Sequence, residues 1–266
     1  MAKINQRRED IRKLVQQSGY VTIEALAKKF NVTPQTIRRD INEMANEGTL
    51  ERYHGGAGWA TSTENLSYGM RQKIGHEGKR EIGQLVARDI DDGSSLFINI
   101  GTTTEQVAKA LNDHRNLRVI TNNLNVATIC ATNPEFEVII AGGVVRARDL
   151  GVIGEATIDF MDQFKVDVGI IGISGIDTDG SLLDFDYREV RVAQAIIRNS
   201  RRVILCADRS KFGRRAMVRL GHLSDINILY TDALPEGNWR RMLDDAGVEL
   251  REAVREIGLE NDLELE

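Results

Sequence analysis

The 266 residues include 41% hydrophobic and 28% charged side chains, a composition that excludes a mainly disordered chain and leaves room for one small and one large domain. The first 25 residues lack the apolar core of a secretory leader and no stretch approaches a membrane span, which takes roughly 20 apolar residues in a row; a soluble, cytoplasmic protein with no membrane partner is expected. The net charge of −5 is divided unevenly: residues 1–60 hold 10 Lys and Arg against 7 Asp and Glu, a net of +3, leaving −8 on residues 61–266, the pattern of a basic arm on an acidic body.

In chain order, Ile11, Leu14 and Val15 fall at helical spacing over residues 5–17, and Ser18-Gly19 supplies a stop. Ile23, Ala25-Leu26-Ala27 and Phe30 then fall at helix-like spacing before Asn31-Val32 turns the chain. Thr33 is then a good N-cap, because its hydroxyl can accept an otherwise unpaired backbone N–H, and Pro34 occupies the first helical position, where its missing donor costs nothing. Ile37, Ile41 and Met44 make one buried stripe on this third helix and leave Gln35, Thr36, Arg38 and Arg39 facing outward. Gly48 closes it, and residues 49–56 read as a short hairpin, a wing.

A three-helix unit of this kind sets the outward side chains of its last helix against base edges in the major groove, where arginine can address guanine with two hydrogen bonds. Thr33, Gln35, Thr36, Arg38 and Arg39 are therefore the expected DNA contacts, with Arg52, His54 and the backbone of Gly55 and Gly56 meeting phosphates from the wing. A pair of arginines on a helix is more often a solvated face; the cap, proline, arginine pair and wing occurring in order favour DNA.

Residues 60–75 are polar and without firm periodicity, and the linker is placed there. Beyond it, short β-branched runs at residues 96–100, 118–121, 137–141, 166–173, 203–206 and 226–230 alternate with helical stretches, which predicts an α/β domain with a largely parallel sheet covered on both faces. The expected division is a winged helix-turn-helix over 3–58, a linker over 59–76, a sensor domain over 77–251 and an acidic tail over 252–266. Cys130 and Cys206 lie far apart in apolar runs with no metal-ligand spacing, so both are read as buried free thiols, and no metal or cofactor is expected.

Gly101-Thr102-Thr103-Thr104 stands directly after a strand and before a helix, where a bare backbone, hydroxyls and free N–H groups suit an anion. The same turn can be a plain helix cap, and the absence of GxxxxGK[ST] and GxGxxG counts against nucleotides. Ligands of open parallel sheets bind beyond the carboxyl ends of the strands. Those ends carry Thr121-Asn122-Asn123, Gly142-Gly143 and Asp177, and Lys211 follows a further strand closely enough to pair with a phosphate.

These motifs together, from Pro34-Gln35-Thr36-Ile37-Arg38-Arg39 and Tyr53-His54-Gly55-Gly56 through Ile100-Gly101-Thr102-Thr103, Thr121-Asn122-Asn123, Ala141-Gly142-Gly143 and Ser174-Gly175-Ile176-Asp177 to Ser210-Lys211-Phe212-Gly213, resemble the DeoR family of bacterial repressors over residues 6–250. The resemblance implies a sensor domain similar in fold to ribose-5-phosphate isomerase. It also implies a sugar-phosphate pocket at Gly101, Thr102, Thr103, Thr104, Thr121, Asn122, Asn123, Asp177 and Lys211, operator DNA as partner, and a homodimer or homotetramer. Around Phe185-Asp186-Tyr187 the chain is most similar to members governing glycerol catabolism, which implies release by glycerol 3-phosphate. Two positions depart from the family pattern: Leu150 stands in place of a glycine, and Arg209 in place of a histidine or serine. The alternative from another class is an isomerase with an added head, in which Asp177 and Glu189 serve as acid and base; a DNA-reading unit of about 60 residues has no use in such an enzyme.

Overall fold

The computed structural model describes residues 2–18, 20–53, 55–59 and 65–253. His54, the expected stop at Gly19, residues 60–64 of the linker and the tail from 254 onward lie outside the described residues.

The head contains α1 (Ala2–Ser18), β1 (Tyr20–Thr22), α2 (Ile23–Phe30), α3 (Pro34–Asn46), β2 (Leu50–Tyr53) and β3 (Gly56–Trp59). Thr22 caps α2 by accepting from the Ala25 amide at 3.1 Å, and Asn31 ends it in the left-handed conformation. One core joins the three helices, with Ile11, Leu26, Ile37 and Ile41 at 0–1% exposure. The wing is three-stranded because β3 lies between β1 and β2. Its glycines permit this: a Cβ on Gly56 would stand 2.4 Å from the Val21 carbonyl and 2.5 Å from the Tyr20 ring, and one on Gly58 2.4 Å from the Tyr53 ring.

Between head and sensor stands α4 (Tyr68–Lys73), a helix inside the segment assigned to the linker, capped by Ser67. The sensor then runs α5 (His76–Arg88), β4 (Ser95–Ile98), α6 (Thr102–Ala110), β5 (Arg118–Thr121), α7 (Leu124–Cys130), β6 (Glu137–Ile140), β7 (Val144–Arg146), β8 (Gly151–Ile153), α8 (Glu155–Met161) and β9 (Val166–Gly172). It continues through β10 (Gly175–Ile176), β11 (Ser181–Asp184), α9 (Tyr187–Arg198), β12 (Ser200–Cys206), β13 (Val218–His222), β14 (Ile228–Thr231), α10 (Trp239–Asp245) and β15 (Glu249–Glu252).

Seven strands form one parallel sheet in the order β15-β14-β12-β9-β4-β5-β6. All six expected strands are in it. The seventh, β15, adds to one edge, and its alternation of half-buried and exposed residues is too polar to read as a buried run. One face of the sheet packs through Phe97, Ile171, Leu205 and α9 side chains such as Val192 and Ile196, the other through Ile98, Ile170, Ile204 and α5 and α6 side chains such as Ile82 and Val107. Cys130 and Cys206 are free and buried. Strand order runs outward from β4 to β6 on one side and from β9 to β15 on the other, so the topological switch point lies between β4 and β9, where open parallel sheets open a crevice. A small antiparallel sheet, β10-β11-β13, and the β7–β8 hairpin rise above that end. Among the described residues no helix is long and apolar enough to cross a membrane.

Candidate functional site

The reading helix is organised locally. Thr33 accepts from the Thr36 amide at 3.2 Å, and its hydroxyl lies 2.9 Å from that of Thr36. Gln35, Arg38 and Arg39 are exposed, Thr36 is partly so, and Arg39 reaches Glu43 at 3.1 Å across one turn. Arg52 is exposed on β2; Gly55 adopts a φ of +86°, while Gly56 is buried against Tyr20 and turned away from solvent. Asp40, on the inner side of α3, is held by Arg7 at 2.6 Å and Arg8 at 3.3 Å, an anchor to α1 that hydrophobic periodicity gives no sign of.

At the switch point a narrow cleft with only about 20 Å³ free is lined by Gly101, Thr102 and Thr103 after β4, Gly172 and Ser174 at the end of β9, and Lys211 after β12. No side chain caps α6, so its first backbone N–H groups are free and carry the positive end of the helix dipole. Arg71 from α4 closes one side, with Nη2 3.1 Å from Asp149 and a buried Nε that has no partner. Desolvation lowers the Lys211 amine to about 7, with Asp208 opposing the shift. Burial likewise pushes Glu189, at the rim, up to about 7; Asp184 adds to the rise, and Arg146 opposes it. Two cations and a helix N-terminus converge on one cleft, which Asp184 and Glu189 also line, a combination that suits a small anion carrying hydroxyls.

Of the residues expected in a pocket, Gly101, Thr102, Thr103 and Lys211 are brought together here. The others are occupied within the protein. Thr104 donates to the Asn99 and Gly101 carbonyls at 2.8 Å each, and Thr121 donates to the Ile98 carbonyl at 2.6 Å. Asn122 donates to the Val152 carbonyl, Asn123 caps α7 and reaches Glu105, and the Gly142 carbonyl accepts from Thr157. Gly143 packs where a Cβ would stand 2.3 Å from the Thr157 hydroxyl. Asp177 stands in the β10–β11 turn, its carboxylate accepting from the Thr178 amide at 2.7 Å, so the structure does not bring it to the cleft beside Glu189. Ser174, from the motif Ser174-Gly175-Ile176-Asp177, lines the cleft as well, whereas Arg71 and Asp184 do so without having been singled out from the sequence. Among the described residues no group of His, Cys, Asp and Glu is arranged to hold a metal.

A winged helix-turn-helix head on an α/β body with a polar cleft at its switch point has the build of a DNA-binding regulator. Residues 7–63 match the DeoR-like helix-turn-helix domain and residues 74–233 the DeoR C-terminal sensor domain. The chain belongs to the DeoR family, and it is a transcriptional regulator rather than an enzyme. It is 52% identical to the glycerol-3-phosphate regulon repressor of Escherichia coli over 93% of this chain and 98% of that one. To the repressor of the same name from Haemophilus influenzae it is 52% identical over 87% and 90%, and to the HTH-type transcriptional repressor CsqR of Escherichia coli 38% over 92% and 94%. Among solved structures, ribose 5-phosphate isomerase A of Methanocaldococcus jannaschii aligns over 52% of this chain and 55% of its own, at 12% identity and a TM-score of 0.39.

Proposed function

We propose that this protein represses genes of glycerol 3-phosphate catabolism and is released from its operators when glycerol 3-phosphate enters the cleft between β4 and β9. The observation that carries the effector class is the convergence of Lys211, Arg71 and the uncapped start of α6 on one small space. A phosphate dianion there would meet charge-assisted donors on three sides. Ser174, Asp184 and Glu189 at the same cleft offer polar partners for the hydroxyls of a short polyol. The names of the relatives at 52% identity support glycerol 3-phosphate as the particular ligand.

DNA is read by Gln35, Thr36, Arg38 and Arg39, with Thr33, Arg52, Gly55 and the wing backbone toward phosphates. Two heads of a homodimer or homotetramer would meet half-sites about 34 Å apart. Titration of operator DNA with protein, with and without glycerol 3-phosphate, tests the reading. A tenfold to hundredfold loss of affinity is expected from couplings of about 1–3 kcal/mol, and unchanged affinity would remove that effector.

A further inference from the structure

Arg214 follows Lys211 by three residues, and its side chain is only 4% exposed. It touches both domains at once. Nη1 donates to the Ser174 carbonyl at 3.1 Å, Nη2 donates to Asn65 Oδ1 at 3.1 Å, and Nε donates to Glu51 Oε2 on the wing strand β2 at 3.3 Å. The guanidinium lies 5.7 Å from the Tyr53 ring centre of the head and 5.1 Å from that of Phe185 in the sensor. A planar fork with five donors suits such a junction; an ammonium does not.

The sensor side of this junction is continuous with the cleft. Ser174 lines the cleft, and its hydroxyl donates to Asp184 at 3.0 Å and accepts from Asn65 at 3.2 Å. The segment from Lys211 to Arg214 has no slack: Gly213 N donates to the Ile176 carbonyl at 2.7 Å, and a Cβ on Gly175 would stand 2.2 Å from the Arg214 carbonyl. A second element spans the same gap, because Met70 and Ile74 pack with Tyr20 and Tyr53 of the head while Arg71 between them reaches the cleft. Thus both cations of the cleft sit on segments that also grip the head.

We infer that Arg214 couples the cleft to the head: its pair with Glu51 holds the head in the orientation that binds operator, and an anion drawn onto Lys211 displaces the 211–214 segment and breaks that pair. The direction follows from two features. The grip leaves Gln35, Arg38 and Arg39 exposed for DNA, and the cleft, with only about 20 Å³ free, cannot admit a polyol phosphate without its walls moving, the loop that carries Lys211 among them. A ligand shifts such an equilibrium only by its difference in affinity for the two arrangements, and the displaced loop supplies that difference. This inference rests on the effector reading above for its ligand, but not for the grip itself.

The test is a double-mutant cycle on operator affinity with Glu51→Gln, Arg214→Lys and both together, each measured without and with glycerol 3-phosphate. Glutamine keeps the acceptor for the Tyr53 hydroxyl. Removing a negative charge from the head should by itself tighten DNA binding, so a loss of affinity separates the grip from simple electrostatics. Without ligand, each single change is expected to weaken operator binding at least roughly fivefold, the double change no more than the worse single one, and the response to glycerol 3-phosphate to shrink toward none. Ligand-free affinities of the single variants within about twofold of the wild type, or additive losses, overturn the inference. If Arg214→Lys fails to fold, by circular dichroism, the partly exposed Glu51→Gln decides alone. A wild-type protein indifferent to glycerol 3-phosphate would sink the effector reading, while the ligand-free cycle still judges the grip.

Discussion

The carboxylate of Asp40 on α3 accepts a 2.6 Å hydrogen bond from Nε of Arg7 on α1, and its other oxygen meets Arg8 at 3.3 Å. Asp40 is 2% exposed while the arginines stay partly in water, so this pair fixes the reading helix against the helix that supports it. Asp40→Ala removes a charged acceptor of two donors that can partly rehydrate, and is expected to cost the head about 1–3 kcal/mol. Urea unfolding followed by helical circular dichroism measures it; a midpoint equal to wild type would mean the pair contributes nothing net.

Arg38 and Arg39 differ in how free they are. Arg39 is already engaged with Glu43, whereas no ion pair among the described residues involves Arg38. Arg38→Ala is expected to lose about 1–3 kcal/mol of operator affinity if it contacts a base, with little loss on random DNA. Arg39→Ala is expected to lose less on operator. Equal losses on both DNAs would assign the arginine to phosphates.

Lys211 and Glu189 both titrate near neutrality in the cleft, from ordinary values of 10.5 and 4.5 to about 7. An unfolded chain keeps the lysine proton up to 10.5, so between about 7 and 10.5 it binds more protons than the folded chain, and stability rises with pH through that window. For Glu189 the folded chain holds the extra proton between 4.5 and about 7, so stability falls with rising pH there. The two contributions meet in a minimum near pH 7. A phosphate dianion favours the charged lysine, so its binding should take up a proton and weaken as pH rises above about 7. Calorimetry in two buffers of different ionisation heat reads that uptake; Lys211→Gln should abolish it, and its absence in the wild type would place Lys211 outside the ligand site.

Leu150, one of the departures from the family pattern, has a φ of +59° and is 41% exposed between β7 and β8. A side chain in the left-handed region costs roughly 1–2 kcal/mol, of which glycine's greater freedom in the unfolded chain takes back about 0.4–1. Leu150→Gly is therefore expected to stabilise the sensor by about 0.5–1 kcal/mol. Thermal melting of Leu150→Gly beside Leu150→Ala, which keeps the strain, checks this; a glycine variant no more stable than the alanine one would refute it.

The parts legible in the sequence are those determined by near neighbours. Thr33, Pro34 and the Ile37-Ile41-Met44 stripe specify α3 within a dozen residues, and the central strands announce themselves because they are apolar on both faces. Lys211 and residues 101–103 were accessible because a parallel sheet collects its strand ends in one place. Arg71 was not: α4 has six residues and none of them buried, so no stripe marks it as a helix. Thr121, Asn122 and Asn123 show the opposite failure. At 0% exposure Thr121 and Asn122 donate to backbone carbonyls while Asn123 caps α7 and reaches Glu105, and composition does not distinguish a side chain used internally from one offered to a ligand. Arg214 acquires its meaning only when residues 51, 65 and 174 arrive from three parts of the chain.

Cys130 and Cys206 are sealed within the sheet's apolar layers, and desolvation pushes both thiols well above their ordinary value, Cys130 to about 12. Peroxides and electrophiles attack the thiolate, a form these two sulfurs scarcely adopt at physiological pH. Neither cysteine is therefore a ready target for oxidants while the sensor stays folded.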